Sequence, residues 1–196
     1  MSHHNLHAAI ARAVSLDDGA RAGIDAAFAA VTCTRGHCLS AVGAPARYAY
    51  FLTAGALRAF FVDADGTERT IELSFEGDWA GDIGAFLTGA PVTVRLEALE
   101  DVRALRVGYD ELERLLSEVP ALEKYFRVLY AHAYASYTAR LRQFITWTAA
   151  ERYAHLVEHR ASVLHRVPLR VVASYIGVTP ESLSRIRREY GGGAHG

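Results

Sequence analysis

The chain has 196 residues, 51% of them hydrophobic and 22% charged, which supplies one large or two small packed cores and excludes disordered and collagen-like classes. The formal charge of −1 hides an asymmetry. Residues 1–147 carry 14 Lys/Arg against 18 Asp/Glu (net −4), whereas residues 148–196 carry 7 Arg against 4 Glu (net +3), so only the C-terminal piece suits a polyanionic partner.

The N-terminal "MSHHNLHAAIARAV" has neither the basic n-region nor the apolar h-region of an export signal, and no apolar run is long enough to span a bilayer. No function is assigned to His3 or His4. Cys33 and Cys38 are the only cysteines, too few for a zinc knuckle or an iron–sulfur cluster held by this chain alone. Two thiols without an export signal point to the cytoplasm, with no membrane partner and no metal site.

Residues 5–31 are Ala-rich, with Ile10, Val14, Ile24 and Phe28 at helical spacing, which predicts one or two short packing helices. From about residue 33 the texture changes to short β-rich runs: "ARYAYFLTAG", "ALRAFFVDADG", "TERTIELSF", "VTVRLEAL" and "VRALRVG". Asp65-Gly66 between two such runs predicts a hairpin with a type I′ turn. Many short strands without long intervening helices predict an antiparallel sandwich or barrel.

One Gly-rich interruption, "GDWAGDIGAFLTGAP" at 77–91, predicts a short helix around Ile83 to Leu87. A glycine turn entering a helix offers backbone N–H groups to phosphate, although it is also an ordinary way to join strands.

After "YDELERLLSEVP" the pattern predicts a long helix from Ala121 to about Ile145. Its stripe, Leu122, Phe126, Leu129, Ala133, Tyr137, Leu141 and Phe144, needs a partner surface, and pattern alone favours a dimer seam and the chain's own β domain equally. Thr148 and Glu151 have the spacing of a capping box, so a new helix starts there and Phe144 to Thr148 is the expected hinge.

"VPLRVVASYIGVTPESLSRIRREY" divides into an amphipathic helix (Leu169, Val172, Ala173, Ile176), a break at Gly177 and a second helix. Thr179 is a good N-cap and Pro180 fits the first helical position. Two short helices joined by a Gly-containing turn match the helix-turn-helix. At about 100° per residue, Leu183, Ile186 and Tyr190 fall together and face inward. Glu181, Ser184, Arg185 and Arg188 lie opposite, and these residue types suit base edges: Arg grips guanine bidentately and Glu accepts from cytosine N4. Thr179, Ser182 and Arg187 flank them, within reach of DNA backbone.

These residues resemble the DNA-reading unit of the Crp/Fnr family of bacterial transcription regulators, including its E-x-x-S-R signature at Glu181, Ser184 and Arg185. The stretch "YFLTAGALRAFFVDADGTERTIELSFEGDWAGDIGAFLTG" is similar to the family's β-roll, and the likeness spans about residues 25–190. The resemblance implies an α+β chain: an N-terminal antiparallel β-roll of cyclic-nucleotide-binding type with N-terminal helices (1–120), a dimerisation helix and hinge (121–147), and a helix-turn-helix domain (148–196). It also implies a homodimer on a palindromic operator of double-stranded DNA, RNA polymerase as a partner, and an unknown small-molecule effector as an option.

The effector pocket by this likeness involves Gly81, Asp82, Ile83, Val92 and Thr93, and here the chain departs from the family. Members that bind cyclic AMP have G-E and, about ten residues later, R-S or R-T; this chain has Gly81-Asp82 and Val92-Thr93. Asp shortens the reach to a ribose hydroxyl, and Val92 stands where a cation should meet the phosphate, so tight cyclic-nucleotide binding is not expected. Haem is left open, since His, Cys and an N-terminus can all serve as axial ligands. After Tyr190 only "GGGAHG" follows, so no β wing is expected there.

Two other classes compete. One is a ligand-binding or protein-docking module without DNA. The other, a cupin-like metalloenzyme, lacks any histidine between residues 46 and 108 and any Ser/His/Asp or phosphate-loop motif; the chain is read as a non-enzyme.

Overall fold

A computed structural model describes residues 2–192, which divide into two units, residues 1–61 with 72–131 and residues 62–71 with 132–196.

In the first unit, α1 (Ser2–Ala11) and α2 (Asp18–Ala27) are the two short helices. Asp17 caps α2 by accepting the Ala20 N–H at 2.7 Å, and α2 buries Ala20, Ile24 and Ala27. Strand β1 (Ala29–Cys33) begins sooner than the change of texture near residue 33 suggests. Its alanines carry no period, and only pairing with another strand fixes their state. The remaining strands are β2 (Cys38–Ser40), β3 (Tyr48–Ala54), β4 (Leu57–Val62), β5 (Glu68–Ser74), β6 (Trp79–Ala80), β7 (Arg95–Ala98) and β8 (Val102–Gly108). They form two four-stranded sheets, ordered β1-β8-β3-β6 and β2-β7-β4-β5, the antiparallel roll expected.

Strand alternation decides what each sheet face does. On β3 and β8, Ala49, Phe51, Leu105 and Val107 join the buried cluster built with Leu6, Ile10, Ile24 and Phe126. Half-buried Trp79 packs against it, with ring centroids 5.9, 5.6 and 5.4 Å from Phe28, Phe51 and Phe126 in edge-on geometry. Its indole N–H donates to Tyr125 Oη at 2.9 Å, which satisfies the ring's one polar group. The neighbouring residues on the same strands, Tyr48, Tyr50 and Arg106, line a cavity instead.

Helix α3 (Ile83–Thr88) forms as expected after the glycine-rich turn. Helix α4 (Tyr109–Glu118) precedes the long helix and buries Leu112 and Leu115. Helix α5 (Ala121–Thr146) buries Leu122, Tyr125 and Phe126 in its first turns.

The second unit contains residues 62–71, the turn of the β4–β5 hairpin. Asp65-Gly66 does turn the chain, but not as type I′. That turn needs positive φ at both central residues, and only Gly66 has it (85°); no described non-glycine residue does. Gly66 N–H instead bonds to Asp63 O at 3.0 Å, and Asp63 N–H to Thr67 O at 3.0 Å, the pattern of a longer hairpin loop with glycine in the left-handed position.

Helix α6 (Ala149–Arg160) starts with the expected capping box: Glu151 N–H donates to Thr148 Oγ1 at 3.2 Å, and the Glu151 carboxylate accepts the Thr148 N–H at 2.7 Å. Helices α7 (Val163–Arg166), α8 (Leu169–Ile176) and α9 (Pro180–Gly192) complete the unit. Ser174 on α8 accepts the Thr70 N–H at 2.8 Å and donates to Glu68 O at 2.7 Å. Residues 193–196, on which the expectation of a missing wing partly rests, lie outside the described residues.

Candidate functional site

Helix α8 buries Val171, Val172, Ala173 and Ile176 and stops because Gly177 adopts the left-handed conformation, φ 79°. Val178 N–H reaches Ala173 O at 3.0 Å and Gly177 N–H reaches Ser174 O at 3.2 Å, the paired bonds of a Schellman motif. Two arginines finish the carbonyls that the helix end leaves open. Arg140 donates to Tyr175 O at 2.6 Å, and Arg152 donates to Ile176 O at 2.9 Å and to Trp147 O at 2.6 Å. Both guanidinium groups lie over Phe144, 5.0 and 4.8 Å from its centroid, and Phe144 in turn presses on Gly177, where an added Cβ would fall 2.7 Å from the ring. The sequence showed the glycine break but not this clamp, whose arginines sit on α5 and α6 far from the turn.

Helix α9 begins three residues after Gly177, at Pro180. Thr179 Oγ1 accepts the Ser182 N–H at 3.3 Å, which supports the expected N-cap. Leu183 is wholly buried and Ile186 half-buried, as expected. Tyr190 departs from the expectation: it is 46% exposed and only one edge of its ring meets Tyr153, centroids 5.6 Å apart. It lies at the far end of α9, where the partner helices no longer cover the inward face.

Glu181, Ser184, Arg185 and Arg188 are all exposed, together on the face opposite Leu183. Thr179 and Arg187 are exposed beside them and Ser182 is half-buried. Short-range bonds hold this face: Ser184 Oγ donates to Pro180 O at 2.9 Å, and Arg185 donates to Ser182 Oγ at 3.3 Å. A hydrogen bond from its own backbone, then one from Thr179, and more weakly the charge of Arg185, keep the Glu181 carboxyl below the usual carboxylate range. Glu181 is thus an acceptor at neutral pH.

In the roll, the structure brings Gly81, Asp82, Ile83, Val92 and Thr93 together, but around an internal carboxylate. Asp82 caps α3 by accepting the Ala85 N–H at 3.1 Å, and its other oxygen accepts the Thr93 N–H at 2.8 Å and the Thr93 hydroxyl at 2.7 Å. Burial pushes the Asp82 carboxyl up, but the bonds from Thr93, Ala85 and Val94 outweigh it and hold the carboxyl below its ordinary value. Val92 is 2% exposed. The donors of the turn are thus engaged by the chain's own carboxylate, and Val92 supplies no cation beside them.

Burial, then the charge of Asp101, push the Cys33 thiol up. Among the described residues no three His, Cys, Asp or Glu side chains group as a metal site, and no helix is long and apolar enough to cross a membrane.

Comparison with known proteins identifies the fold. Residues 30–119 match the cyclic nucleotide-binding domain family, and the whole architecture, antiparallel roll, long helix and helical C-terminal region, is that of the Crp/Fnr-like fold. FixK2 from Bradyrhizobium japonicum superposes with a TM-score of 0.74 at 19% identity, over 85% of this chain and 86% of its own. CLP of Xanthomonas campestris, a c-di-GMP responsive global regulator, gives 0.69 at 16% identity over 91% and 93%. A protein from Eubacterium rectale described as a transcriptional regulator of the Crp/Fnr family gives 0.71 at 15% identity over 89% and 83%. The search of curated proteins found no match. Identities this low establish the fold, and function is argued from the residues.

Proposed function

We propose that this chain is a sequence-specific DNA-binding transcription regulator of the Crp/Fnr type, a homodimer on a palindromic operator. The observation that carries the proposal is the exposed Glu181, Ser184, Arg185 and Arg188 face of α9, set opposite buried Leu183 and following a Schellman-closed α8. Glu181 and Arg185 read base edges, Ser184 and Arg188 beside them, while Thr179, Ser182 and Arg187 meet phosphates. Domain roles follow: 1–120 sensory, 121–147 dimerisation and hinge, 148–196 DNA binding, with RNA polymerase as the partner of the bound dimer in the cytoplasm.

Dimerisation is supported by α5. Its later turns expose Tyr134 at 73%, Tyr137 at 48%, Leu141 at 62% and Ile145 at 75%, an apolar stripe at spacings of three and four that a second copy of the helix would cover. Selection of duplexes from a random pool tests the function: a two-fold symmetric motif is expected, and an unenriched pool would contradict it.

The roll does not bind cyclic AMP in the family's usual way. Calorimetry with cyclic AMP and cyclic GMP is expected to give no heat of binding at micromolar ligand, and a micromolar dissociation constant for either would overturn this reading.

A further inference from the structure

The cavity of about 390 Å³ inside the roll is of a size that holds one small molecule, and its charge comes from an unexpected wall. Arg106 of β8 pairs in register with Tyr50 of β3, and its half-buried guanidinium lies over the Tyr48 ring, 4.4 Å from the centroid. Arg47, an exposed residue, also lines the cavity. Among the described residues neither arginine has a carboxylate partner. Asp82, the one acidic residue in the lining, is engaged by Thr93 and Ala85. A half-buried guanidinium without an anion is an incomplete arrangement, because its planar fork matches a carboxylate or phosphate and gains most where water is scarce. Buried Tyr50 and Val92 supply an apolar wall beside the positive charge.

We propose that this cavity binds a small organic anion, a carboxylate or phosphate on a short apolar or aromatic body, whose charge is taken by Arg106 with Arg47. The cation thus enters from β8, on the strand wall, in place of the one that Val92 fails to provide. Because the anionic group docks on Arg106 and the Asp82 cradle stays closed, a compact acid fits where a cyclic nucleotide does not. Binding to the roll is read without DNA, so its failure leaves the DNA-reading proposal untouched, and the reverse.

Amide NMR titration of the full chain at low salt, with benzoate and with phenyl phosphate as probes, tests the site. Saturable binding is expected for at least one probe, with shifts concentrated on Tyr48, Tyr50 and Arg106. Affinity is expected to fall at least tenfold in Arg106→Gln and to hold in Arg114→Gln, an exposed α4 arginine outside the cavity. Should the glutamine variant not fold, Arg106→Lys carries the comparison, since it keeps the charge but loses the bidentate fork: weakened binding supports the site. Absence of saturation by both probes, or unchanged affinity in the Arg106 variant, would overturn it.

Discussion

Gly177→Val is expected to lower the melting temperature of the C-terminal unit by roughly 10–40 °C and to abolish DNA binding at physiological temperature. Two costs add. A non-glycine residue in the left-handed region loses about 1–2 kcal/mol, and a β-branched one more. The new side chain also meets Phe144, with even a Cβ only 2.7 Å from the ring. Phe144 cannot step aside freely, because Arg140 and Arg152 stack on it while they hold the carbonyls of Tyr175 and Ile176; overpacking of this kind costs about 1–3 kcal/mol. At about 4–8 °C per kcal/mol for a unit of this size, the sum gives the stated shift. Adding Phe144→Ala should recover the steric part and leave the conformational part. Thermal denaturation of the single and double variants checks both, and a melting point within 2 °C of the parent for Gly177→Val would refute the account of the turn.

Arg185→Ala is expected to weaken binding to the preferred operator by roughly 10- to 100-fold, the worth of one bidentate base contact, and to flatten the preference at one position of each half-site. Arg187→Ala, at a position proposed to meet phosphate, is expected to weaken all sequences alike and to reduce the salt slope by about 1. Fluorescence anisotropy on operator and scrambled duplexes across a salt series separates the two. Equal losses on both duplexes for Arg185→Ala would show that this arginine is not a base reader.

Features set by neighbours in sequence were readable before the structure, and those set by distant residues were not. The Thr148/Glu151 box and the glycine break at 177 are local: three or four residues contain the whole cause, and both stand in the structure. Asp65-Gly66 marked the hairpin, yet the turn type depended on how many residues the strands left unpaired. The stripe on α5 read as one surface but splits: Leu122 and Phe126 are buried, while Leu141 is 62% exposed, since periodicity gives a face without saying what covers it. The wheel placed Leu183 correctly and Tyr190 too deeply, because burial ends where the partner helices end. The residue pattern at 81–93 showed a missing cation, but not that Asp82 would close on Thr93. Nor did it show Arg106 facing the cavity, since on a strand one step of register decides between core and lumen.

The central claim is that α9, carried twice by a dimer, reads DNA. Selection of bound duplexes from a random pool tests it most directly. The account predicts an enriched motif with two-fold symmetry and half-sites centred about one helical turn, roughly 10 bp, apart, lost from the pool when Glu181 and Arg185 are both replaced by alanine. No enrichment, an asymmetric motif, or the same motif from the double variant would contradict it.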